Sequence, residues 1–87
     1  MEYELAYDLA IEVGKEVVFV VGDDRQRKVR LWVTEAQTEG DTVNFVGNSL
    51  GSSVRGIKAA KRDEPPIVVK GVMTLVDGTW HASLANA

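Results

Sequence analysis

Strict alternation of apolar and other residues dominates the start of the chain. Tyr3, Leu5, Tyr7, Leu9, Ile11 and Val13 are apolar, with Glu4, Ala6, Asp8, Ala10 and Glu12 between them. Successive side chains of an extended strand point to opposite faces, whereas the apolar stripe of a helix recurs every 3.6 residues. The pattern therefore predicts one half-buried strand over residues 3–13. At about 3.3 Å per residue such a strand would span ~36 Å, roughly twice the usual length. It either bends to serve two sheets or projects toward a partner.

Further on, residues 16–21 and 67–76 predict strands that are apolar on both faces. Val18 and Val20 oppose Val17, Phe19 and Val21; Val68, Val72 and Val76 oppose Ile67, Val69, Met73 and Leu75. Residues 27–35 predict a strand with Val29, Leu31 and Val33 on the core face and Lys28, Arg30, Trp32 and Thr34 on the other. Glu39-Gly40-Asp41 predicts a hairpin onto a strand over 42–46, and the glycine- and serine-rich 47–53 predicts a loop. Ser53 is placed to cap a short helix over 54–62, but Gly56 opposes it and a strand or irregular segment is the alternative. Asp77-Gly78 predicts a two-residue type I′ hairpin with Val76 opposite Thr79, Leu75 opposite Trp80, Thr74 opposite His81 and Met73 opposite Ala82.

The expected fold is all-β: a small antiparallel β-barrel or compact β-sandwich of six to seven strands, with one short helix near residues 53–62. The chain has 87 residues, the size of one domain. A folded surface of roughly 5,000 Å² leaves room for one thin core, so a self-contained enzyme with a deep dry site is not expected. The sequence has no cysteine and one histidine, His81, which excludes disulfide frameworks, thiolate zinc sites and cysteine nucleophiles. No cofactor or catalytic residue is read from it. Met1-Glu2-Tyr3-Glu4 is acidic where a signal peptide is basic, and the apolar run 17–21 is too short to cross a membrane. A cytoplasmic or virion setting with no membrane contact is expected.

Net charge is −3, but it is unevenly spread: residues 1–24 sum to −6, residues 25–62 to +5 and residues 63–87 to −2. Arg25, Arg27, Lys28 and Arg30 form one basic cluster, and Arg55, Lys58, Lys61 and Arg62 another. These eight either pair with the acids of the first strand or contact an anionic partner.

The doubly apolar strands are covered by the 53–62 segment and the long first strand, or form a subunit interface. The expected protein interface comprises Tyr3, Leu5, Tyr7, Val18, Val20, Trp32, Val68, Val72 and Val76. Acidic and basic regions on one chain suit head-to-tail association, closing into rings or running on as filaments. The leading expectation is a non-enzymatic structural or interaction protein, self-associating or accessory to a larger assembly such as a viral shell or tail. The alternative is a small module binding single-stranded nucleic acid or oligosaccharide through Trp32 and the basic clusters.

Overall fold

A computed structural model describes residues 3–5, 11–21 and 24–87, the side chains of residues 24 and 25 excepted. The described residues form six strands and no helix: β1 Tyr3–Leu5, β2 Glu16–Val21, β3 Asp24–Glu39, β4 Thr42–Ser52, β5 Val68–Val76 and β6 Thr79–Asn86. Each pairs antiparallel with the next, and β1 also pairs with β6, so the sheet closes into a barrel. Closure selects the barrel over the sandwich.

Residues directly opposite on paired strands share a face, so the register gives the core. Tyr3, Ala82, Met73 and Val43 form one inward row; Val17 and Leu31 lie on another. Phe45 sits over Gly71, and its ring stacks on Phe19 at 5.4 Å between centroids. Val29, Leu31 and Val33 are buried as the alternation predicts. The Asp77-Gly78 hairpin has the predicted register throughout. Asp77 and Gly78 take φ of 51° and 81°, the left-handed values a type I′ turn requires.

Three expectations are corrected. The strand over 3–13 does not extend through Val13, because residues 11–15 form a turn. Gly14 N–H donates to Val33 O and Lys15 N–H to Glu12 O, at 2.9 and 3.3 Å. Ile11 packs toward the core while Val13 is 60% exposed, so the alternation does not hold one face there. What is described of the first strand is a short closing strand, held on both edges by its own chain; residues 6–10, with Tyr7, lie outside the described residues.

Residues 47–52 are strand, not loop, and pair with β3. Gly47 is there for close approach: a Cβ would lie 2.8 Å from the Trp32 carbonyl oxygen. Residues 53–62 form no helix. Gly56 takes φ +95°, and side chains hold the backbone in turns instead. Val54 N–H donates to Ser52 Oγ at 3.1 Å, and Ser53 Oγ accepts from Lys28 N–H at 2.9 Å. The helical spacing of Val54 and Ile57 nonetheless reports their burial correctly, since both insert into the core and plug the foot of the barrel.

β3 outruns its neighbour. β2 pairs with it only from Asp24 to Trp32, so over residues 34–39 β3 forms an arm with a strand, β4, on one side only among the described residues, while Thr42–Asn48 of β4 stays paired with β5. The molecule measures 41 × 27 × 19 Å and exposes 5682 Å². That is more than the roughly 5,000 Å² of a compact chain this size.

Candidate interaction surfaces

The outer face of β3, β4 and β5 follows from the same register. Trp32 stands beside Asn48, and Asn48 beside Val68. Above them come the rows Glu35, Val46, Lys70 and Gln37, Asn44, Val72. Trp32, Val68, Val72 and Val76 are 43, 37, 42 and 49% exposed, while the alternate β5 residues Val69, Gly71 and Met73 are buried. The three valines recur every fourth residue, with Lys70 and Thr74 between them on the same face. From Val68 to Val76 the row spans about 26 Å, and Trp32 lies two strand spacings, roughly 10 Å, to its side. An open groove of about 680 Å³ lies alongside, lined by Val13, Glu35, Gln37, Val46, Lys70 and Val72 among others.

The other expected interface residues are placed differently. Tyr3 is 3% exposed and belongs to the core, so it offers no surface to a partner. Leu5 is partly buried against the same core. Val20 is 5% exposed, in an outer row between Glu4 and Lys28, whose longer side chains flank it. Val18 is half-buried.

The basic residues fall into three places. Arg30 is engaged with Glu16, Nη2 to Oε1 at 2.5 Å, on the outer wall. Lys28 lies at the seam between β3 and the plug, and Arg55, Lys58, Lys61 and Arg62 are exposed along the plug itself. Arg27 is felt at the Tyr3 phenol: burial raises that group above its ordinary value of 10.0, and the guanidinium draws it partly back. Arg55 and Tyr3 line a second open groove of about 430 Å³ at the barrel foot, with Ile57, Leu84 and Asn86. Asn86 closes one side by donating from Nδ2 to Gly56 O at 2.5 Å. The side chain of Arg25 lies outside the described residues.

Compared with protein-family models, with curated proteins and with solved structures, the chain shows no match. Among the described residues no group of three or more His, Cys, Asp or Glu side chains is placed to hold a metal ion. Lys15 is raised above its ordinary value by its hydrogen bond and charge contact with Glu12, at 2.7 Å, an exposed pair at the turn.

The arm has no sequence signature of its own. Residues 34–41 are all exposed and carry Glu35, Glu39 and Asp41. The Glu39-Gly40-Asp41 turn located the tip, but nothing in the sequence shows that β2 stops short of it.

Proposed function

We propose that this chain is a non-enzymatic structural subunit that associates with further copies of itself, using the outer face of β3–β5. The observation that carries the reading is the joint exposure of Trp32, Val68, Val72 and Val76 on one continuous sheet face. Scattered surface valines are ordinary, but a row of three with a tryptophan beside it forms a patch that water disfavours. Tryptophan is also enriched among the residues that dominate interface energetics. A nucleic-acid reading draws less support. Glu16 stands directly across from Trp32, and the nearest cation on its strand face, Arg30, is tied to that same Glu16.

Size-exclusion chromatography with light scattering tests the proposal on the full chain. The wild type is expected to assemble. Trp32→Ala and Val72→Asp are expected to assemble only at higher protein concentration than wild type, with thermal midpoints close to wild type. A wild type that stays monomeric at all salt and protein concentrations, or variants that assemble as well as it does, would overturn the proposal.

A further inference from the structure

Among the described residues, β3 carries a stretch of strand edge with no partner strand. β2 reaches only to Trp32, and Val33 exchanges hydrogen bonds with Gly14 and Lys15. Beyond that point, among the described residues, β3 has β4 on one side and no strand on the other over residues 34–39. An uncovered edge presents main-chain N–H and C=O groups to any extended segment that can reach it. Here the edge is also acidic, with Glu35 and Glu39 on the strand and Asp41 at the tip. Asp41 O accepts from Leu75 N–H at 3.0 Å, so the tip is anchored near the β5–β6 hairpin, which carries Asp77.

The opposite end of the barrel has the complementary character. The plug exposes Arg55, Lys58, Lys61 and Arg62, with Lys28 at its seam. Its acids are Asp63 and Glu64, and the Glu64 carboxylate is already occupied by the Lys61 N–H at 3.1 Å. Residues 57–60 lack regular secondary structure and pair with no strand. Lys28 and Glu39 are eleven residues apart on β3, roughly 36 Å, against a physiological Debye length of about 8 Å. The two ends therefore act as independent charged surfaces and cannot satisfy one another within one molecule.

We infer that copies of this chain associate head to tail, the uncovered acidic edge of the β3 arm receiving the basic plug segment of the next copy. This rests on the reading that the chain self-associates and adds a direction to it. Arm-to-arm pairing is opposed because it brings Glu35, Glu39 and Asp41 toward their own copies, and like charges across a strand pair destabilise it. The plug of a second copy supplies the opposite sign in an exposed, irregular segment. An arm-to-plug contact is heterologous: it leaves an arm and a plug unused at either end of every pair, so growth continues until a ring closes or a filament forms.

A charge swap tests the direction. One variant carries Glu35→Lys with Glu39→Lys, and the other Lys58→Glu with Lys61→Glu; all four positions are exposed, so the barrel should stand. Each variant alone presents like charges at the contact, and its assembly should require at least about tenfold more protein than wild type. Mixed one to one, each variant's altered end meets its opposite on the other variant, and assembly should return to the wild-type level. Single variants that assemble normally, or a mixture that remains dispersed, would overturn the head-to-tail contact. If Val72→Asp weakens assembly while the charge variants do not, self-association stands and the inference falls. A wild type that is monomeric at every salt concentration removes both.

Discussion

Gly71→Ala is expected to destabilise the barrel, although adding a methyl group to a strand glycine ordinarily helps. Gly71 is buried on β5 opposite Phe45 and Leu84. A Cβ there would lie 2.1 Å from Phe45 Cζ, 2.4 Å from Cε2 and 2.8 Å from Leu84 Cδ2. Carbon atoms pack at about 3.5–4.0 Å, so the ring would have to retreat by well over 1 Å. It has nowhere to go, because Phe45 is 2% exposed and stacked on the fully buried Phe19. Overpacking of this kind costs about 1–3 kcal/mol, against a gain of ~0.5–1 kcal/mol from restricting the unfolded chain. A net loss of about 1–2 kcal/mol lowers the thermal midpoint by roughly 4–16 °C in a domain this small.

Gly51→Ala is the control. Nothing lies within 4 Å of its added Cβ and its φ is not positive, so the same substitution should stabilise by about 0.4–1 kcal/mol. Urea unfolding at matched protein concentration, followed by circular dichroism, measures both. Combining Gly71→Ala with Phe45→Leu should recover part of the loss, as a double-mutant cycle would report. A Gly71→Ala protein as stable as wild type would refute the packing argument.

Three further outcomes are expected. Gly78→Val forces a β-branched side chain to φ near +81° and should cost more than about 1 kcal/mol in the same unfolding assay. Ser49→Ala removes a buried hydroxyl that has no hydrogen-bond partner, so stability should rise by about 1 kcal/mol, and a fall would show that the hydroxyl is engaged. Because burial raises the Tyr3 phenol, the unfolded chain ionises first as pH climbs past 10.0. The stabilisation is therefore full below that value and is lost as pH rises through the folded value, and Tyr3→Phe should flatten the alkaline fall in a series of melts.

Much of the barrel is legible because period two and tight-turn chemistry act locally, whereas closure joins strands nearly 80 residues apart. The Val29–Leu31–Val33 face and the Asp77-Gly78 register both follow from side-chain alternation and the φ demands of a tight turn. The failures share a cause as well. Gly47 reads as a loop residue because glycine marks turns, whereas it sits mid-strand to clear the Trp32 carbonyl. Val54 and Ile57 carry helical spacing because a single turn between two inserted side chains has the same spacing as a helix. Ile11 and Val13 continue an alternation that the turn through Gly14 has already broken. The outer valines were visible as an anomaly, but Val20 and Val68 are alike in sequence. Only the paired strands show that one is covered and the other is not.

The difference in length between adjacent strands connects these surfaces to function. A barrel removes strand edges only where each strand is matched by its neighbours. β3 has 16 residues and β2 has 6, so among the described residues the edge that closure removes below Trp32 returns above it. Glutamates on that edge blunt indiscriminate pairing with like strands, and the same charges select for a basic segment. The valine row offers side chains on the sheet face and the arm offers main-chain groups at its edge, so the two contacts use different groups although Glu35, Gln37 and Val72 line one groove. Adding salt should then weaken the axial contact and strengthen the lateral one, because screening acts on charges while apolar burial is unaffected or favoured. A wild-type assembly that shortens with salt without dissociating completely would carry the signature of both contacts at once.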